Sequence, residues 1–234
     1  MAAFVLVHGA WGGAHGWRHV RRLLTAAGHD ATAPSLTGIG ERVHLVSPQV
    51  GLATHVTDVV NHVLYEDLTD VVLVGFSYGG MVVTGALDAI GERVRSLVYV
   101  DAFVPGDGDS VYGLLGAPPP GPPRPGDAWL VDGPARVYDD PAEEAFAVPR
   151  RTPQPIACFT EPVRLSRPLE DWPFSRTYVR LTAPEPGVPT NPAFEAAAQR
   201  ARSSPAWRYT ELATTHMVAH NRPGELVELL LASL

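Results

Sequence analysis

The run Val71-Val72-Leu73-Val74 is apolar at every position and leads straight into Gly75-Phe76-Ser77-Tyr78-Gly79-Gly80. A strand with one wet face alternates apolar and polar side chains. A strand with no polar position must be covered on both faces, as in a parallel sheet flanked by helices. Parallel neighbours need crossover connections, and those are usually helices. Met81–Ile90 reads as such a helix, stopped by Gly91. This one stretch therefore asks for a layered α/β architecture.

The rest of the chain agrees. Ala3–Val7 and His29–Ala33 read as strands, with a helix over Gly16–Ala27 between them that ends at Gly28. Leu52–Tyr65 has apolar residues at helical spacing. Val94–Val100 is a further strand. Thr177–Leu181, Pro192–Arg202, Ala206–Leu212 and Pro223–Leu231 then read as strand, helix, strand and helix, with Pro223 at a permitted first-turn position. The expectation is a mostly parallel sheet of about six strands. Between Pro105 and Pro173 prolines crowd in, densest in "GAPPPGPPRPG" at Gly116–Gly126. Proline removes ladder donors and interrupts helices, so this segment should not extend the sheet. It also carries Tyr112, Trp129, Tyr138, Phe146, Phe159 and Trp172, an aromatic content unlike that of disordered linkers. We read residues 105–173 as an inserted cap on a core made of 1–104 and 174–234.

Composition sets outer bounds. The 234 residues suit one α/β domain with an insert. The net charge of −7 argues against nucleic acid as a partner. No run approaches a membrane span, and the apolar stretch Ala2 to Val7 lacks the basic flank of a leader, so no membrane partner is expected. The single cysteine, Cys158, rules out a disulfide framework and fits a reducing, cytoplasmic location. It reads as a small packing residue. A homodimer is left open.

Gly75-Phe76-Ser77-Tyr78-Gly79 fits G-x-S-x-G between a strand and a helix, the context in which that motif holds a nucleophile. The turn forces its middle residue into a strained conformation and demands tiny neighbours, which Gly75 and Gly79 supply. Gly80 should let the helix approach the sheet. Ser77 Oγ would then stand beside a helix N-terminus, which favours developing negative charge. A hydroxyl needs a base. His216 follows the last strand and precedes the last helix, where a base should lie, with His220 as runner-up. His15, His19, His29, His44, His55 and His62 read as surface or helix-face residues. An oxyanion needs two preorganised N–H donors. Tyr78 supplies one, and Ala10, in the glycine-rich loop "HGAWGGAHGW" after the first strand, supplies the other. His8 should brace that loop.

The order of "VLVHGAW", "VLVGFSYGG" and a late histidine before a C-terminal helix resembles the α/β-hydrolase superfamily. Within it the chain is most similar to the capped group of methyl-ester hydrolases, hydroxynitrile lyases and bacterial relatives. The resemblance implies a Ser-His-acid triad and no cofactor or metal. The lyases of that group carry a threonine after the first-loop histidine and a lysine after the catalytic one. Here those places hold Gly9 and Met217. Methionine supplies no cation for a cyanide leaving group, and the esterases of the group tend to have His-Met. The resemblance also implies that "GIGER" at Gly38–Arg42 borders the pocket.

The acid stays open between two residues. Asp101 directly follows the strand that ends at Val100, where some lipases place it. Glu185, in "LTAPEPG", holds the place most of the superfamily uses. Asp101 is preferred for its shorter, stiffer side chain. Asp107 and Asp109 are outsiders. Trp11, Phe103 and Met217 are expected to line the pocket. The chain thus reads as a cofactor-free serine esterase acting on a small to medium apolar ester. The alternatives are a lyase, cyclase or acyltransferase, or a ligand-binding protein.

Overall fold

Side chains along β3 (Val71–Phe76) divide between two hydrophobic layers. Val71 and Leu73 join one, with Val5 and Val7 of β1 (Ala3–Val7) and Leu97 and Tyr99 of β4 (Val94–Val100). Val72 and Val74 join the other, with Phe4, Leu6, Val98 and Val100. Successive strand residues point to opposite faces, and here both faces are covered. The first layer is closed by α2 (Leu52–Tyr65) and α3 (Gly79–Ile90), the second by α1 (Arg18–Ala26) and the C-terminal α9 (Pro223–Leu231).

The computed structural model describes residues 1–118 and 128–234, so most of the Gly116–Gly126 run lies outside the described residues. Among the described residues the main sheet has six strands in the order β2-β1-β3-β4-β7-β8, paired in parallel throughout, with β2 at Asp30–Thr32, β7 at Ser175–Leu181 and β8 at Arg208–Leu212. Helix α7 (Pro192–Ser203) links β7 to β8, and the short α8 (Val218–Asn221) precedes α9. Strand order reverses beside β1, so the loops after β1 and β3 leave the sheet as neighbours. Such a switch point is where open α/β sheets bind ligands. Val7 pairs with Gly75, which sets His8–Gly13 against Ser77.

Between β4 and β7 the chain makes only short pieces: α4 (Val111–Leu114), β5 (Leu130–Val131), α5 (Pro141–Ala147), β6 (Gln154–Pro155) and α6 (Ala157–Thr160). None extends the main sheet. β5 and β6 pair with each other, a two-stranded ladder the sequence did not suggest. The helix after Ser77 starts at Gly79, two residues before the sequence pattern marked it, and that brings its N-terminus onto the serine. Among the described residues no helix is long and apolar enough to cross a membrane.

Candidate active site

Ser77 has φ +55°, the left-handed region that non-glycine residues rarely adopt. Its neighbours explain the motif's glycines. A Cβ on Gly75 would lie 2.7 Å from Val83 Cγ2, and one on Gly79 would lie 2.6 Å from the Val7 carbonyl. A Cβ on Gly80 would fall 2.1 Å from the Phe103 carbonyl, so its role differs from the one expected: it makes room for the loop after β4. The Ser77 carbonyl accepts from Gly80 N–H (3.1 Å) and Phe103 N–H (3.2 Å), and its own N–H donates to Val100 (3.2 Å). The strained turn is held from both sides.

The loop after β1 is built as tightly. His8 is buried; Leu36 N–H donates to its Nε2 (3.1 Å), which leaves Nδ1–H to donate to the Gly9 carbonyl (2.8 Å). Burial pulls His8 down to about 4, so it braces the loop as a neutral ring. A Cβ on Gly9 would lie 2.9 Å from Ser77 Cβ, so a threonine here would force a shift. Trp11, at φ +61°, is held by the insert: its N–H donates to Gln154 Oε1 (3.0 Å), its carbonyl accepts from Thr152 N–H (3.2 Å), and its indole N–H donates to the Val131 carbonyl (2.8 Å). Ala10 and Tyr78 flank Ser77, and among the described residues neither amide donates to a loop or side-chain acceptor.

Gly38–Arg42 lines neither cavity at the site, contrary to expectation. Gly40, at φ +58°, packs behind the loop after β1, where a Cβ would meet the Gly12 carbonyl at 3.0 Å.

His216 Nε2 lies 3.0 Å from Ser77 Oγ, and its Nδ1 lies 2.8 Å from Asp101 Oδ2. Its ring sits between Phe76 (centroids 4.6 Å apart) and Phe194 of α7 (5.6 Å). Asp101, at φ +42°, follows β4 directly, and its N–H donates to the Val179 carbonyl (2.8 Å). Burial pushes its carboxyl up, but the hydrogen bond and charge of His216 and the Arg180 guanidinium outweigh burial and hold it below the usual aspartate value.

Glu185 does not reach His216. Its side chain, 5% exposed, accepts from Arg136 (2.6 Å), so it is not the solvated loop charge its sequence context suggested. His220 bonds Glu143 (2.9 Å), which also holds Arg18 and His19. Asp107 and Asp109 accept from the amides of Leu165 and Gly106. His55, on the inner face of α2, is buried against the Tyr78 hydroxyl (3.0 Å). Burial pushes the Cys158 thiol up to about 12, consistent with packing.

Two cavities meet at Ser77 and His216. The larger, about 540 Å³, is walled by Phe103, Val111, Tyr112, Phe159 and Phe194. The smaller, about 60 Å³, lies between the loop after β1 and Met217, with Tyr138, Arg151 and His220 on its wall. Trp11 and Arg136 border both. The three expected pocket residues are thus at the site. Sequence reasoning missed Phe76, Phe194 and Arg180. Only Phe76 had a local signal, as the variable residue before the serine.

Residues 4–229 match the alpha/beta hydrolase family. A carbendazim-hydrolysing esterase from Nocardioides sp. is 36% identical over 249 residues, 99% of each chain. Salicylic acid-binding protein 2 of Nicotiana tabacum is 35% identical over 112 residues, 47% of this chain and 41% of that one. Among solved structures, an extracellular α/β-hydrolase from a Paenibacillus species superposes with TM-score 0.81 at 22% identity, covering 100% of this chain and 99% of that one. A methylesterase from Arabidopsis superposes at 0.78 and 24%, covering 99% and 98%. From its sheet order to its strained serine turn, this chain belongs to the α/β-hydrolase family.

Proposed function

We propose that the chain is a serine esterase that cleaves its ester through an acyl-enzyme. The observation that carries this reading is the unbroken line from Ser77 Oγ through His216 to Asp101, 3.0 and 2.8 Å, with the Ala10 and Tyr78 backbone beside its Ser77 end. His216 Nε2 takes the Ser77 proton as Oγ bonds to the acyl carbon. The carbonyl oxygen gains charge between the Ala10 and Tyr78 amides. Each such donor contributes about 10²–10³ in rate. The imidazolium, steadied by Asp101, then gives its proton to the departing alkoxide. Water repeats the sequence, and the acid leaves.

The unequal cavities support an ester with one bulky apolar part and one short part. Methylesterases are among the relatives, and a methyl ester has such a short part. The α-hydroxynitrile lyase of Arabidopsis is also a relative, 36% identical over 44% of this chain. Lyase chemistry is disfavoured by uncharged Met217 at the small cavity and by the crowding at Gly9. In the same reading, 1–104 and 174–234 form the catalytic core and 105–173 the cap that shapes specificity. A fluorophosphonate should label the parent protein at Ser77 and leave Ser77→Ala unlabelled, and the same variant should lose turnover of short-alkyl esters of bulky acids. Equal labelling of the variant would refute the assignment.

A further inference from the structure

Both oxygens of Asp101 are engaged, and the second partner is the unexpected one. Oδ2 faces His216. Oδ1 accepts from Arg180 Nη1 and, more weakly, from the Leu181 N–H at 3.4 Å. Arg180 lies on β7, beside β4, and its side chain is 15% exposed. Its other nitrogen, Nη2, reaches Glu195 of α7 at 3.2 Å, a carboxylate 64% exposed. Glu211 is its cross-strand neighbour on β8, and Glu211 is itself bound to Arg202. Tyr178 lies on the same strand, with its hydroxyl turned to the Ala102 and Phe194 carbonyls. The charges around the triad acid are therefore Arg180, His216, Glu195 and Glu211, and Arg180 is the cation in direct contact with it.

Two consequences follow from elementary electrostatics. A carboxylate gripped at one oxygen can rotate and tilt; gripped at both, it presents one fixed oxygen to the imidazole. A cation at the far oxygen also draws on the same negative charge that would stabilise an imidazolium at His216. We propose that Arg180 is a positioning residue which, acting through Asp101, fixes the orientation of His216. This rests on the assignment of Ser77, His216 and Asp101 as the triad. Arg180 also borders the larger cavity, so a role in holding substrate is the competing explanation. The two are separable, because a substrate contact shows in KM and a positioning contact in kcat.

The experiment is a pH profile of kcat/KM and kcat for the parent, Arg180→Met, Arg180→Lys and Glu195→Gln, with fluorophosphonate labelling of each. In Arg180→Met, kcat should fall by about ten- to a hundredfold with KM within about threefold, and the acid limb should move to higher pH by about half a unit or more. Arg180→Lys keeps the charge and loses the two-pronged grip, so it should restore the limb and only part of kcat. Glu195→Gln should stay near the parent. The His216 ring resonances of the unliganded protein, followed by NMR against pH, give the same comparison without turnover, and Arg180→Lys serves if Arg180→Met does not fold. An unmoved limb in Arg180→Met, a parent-like kcat in Arg180→Lys, or a loss carried mainly by KM in either, overturns the proposal. A parent protein that no fluorophosphonate labels at Ser77 refutes the triad instead, so the two failures are distinct.

Discussion

Asp101 and Glu185 are near twins by chemistry. Each follows a strand at the same edge of the sheet, each side chain is almost sealed from solvent (6% and 5% exposed), and each holds an arginine. Only Asp101 meets His216. The difference lies in how each is attached. Asp101 is the first residue after β4, its amide tied to β7, its short side chain fixed by a left-handed backbone. Glu185 comes after Thr182-Ala183-Pro184, has one more methylene, and turns toward Arg136 of the insert. In the proposed triad, it is the stiffness of its attachment to the sheet that sets one carboxylate against His216. The same group on a longer tether becomes a clasp between its loop and Arg136.

The sharpest way to break this contrast is to remove one charge at a time. Asp101→Asn keeps the shape but offers His216 the wrong partner, and kcat should fall about 10⁴-fold. Single-turnover acylation with a chromogenic ester measures it. If instead Glu185→Gln showed that loss and Asp101→Asn kept its rate, the roles would be reversed. Asp101→Glu keeps the charge and lengthens the tether, making the acid more like Glu185. A misplacement on the order of 1 Å should lower kcat about a hundredfold, between the parent and Asp101→Asn. Parent-like activity in Asp101→Glu would show that stiffness does not separate the two acids.

Ser77 and His216 could be read from the sequence because their constraints are local. A strand entering a helix through a cramped turn needs glycine on either side of its serine, and the amino acids record that need within five residues. The same holds for α2, whose Leu52–Tyr65 bounds follow from one apolar face. The choice of acid was not local. Asp101 and Glu185 both satisfy the strand-end rule, and what separates them is a partner far along the chain: His216 for one, Arg136 for the other. Arg180 was invisible for the same reason, since in sequence it is one more charged residue on a strand. Phe194 looked like an ordinary apolar position on a helix and proves to be one wall of the His216 slot. The Gly38–Arg42 loop was placed one layer too far forward, because its resemblance gave proximity to the site and its glycine at φ +58° gave no direction.

Glu185→Gln should have the smallest effect on chemistry and a clear one on stability. The Arg136 side chain is only 13% exposed, and glutamine leaves its guanidinium without a counter-charge. Breaking a buried pair from one side destabilises by about 3–5 kcal/mol when nothing replaces the partner. Glutamine still offers an oxygen acceptor, so about 1–3 kcal/mol is expected, read as a lower denaturant midpoint. The segment around Arg136 should become easier to cut by protease than in the parent. Because Arg136 borders both cavities, KM should rise while kcat stays within about threefold, the pattern of weakened binding with intact chemistry. Adding Arg136→Met removes the stranded charge and should recover much of the lost midpoint. A Glu185→Gln protein that is as stable as the parent would mean the pair is a passive contact, and the clasp half of the comparison would fall while the triad half stood.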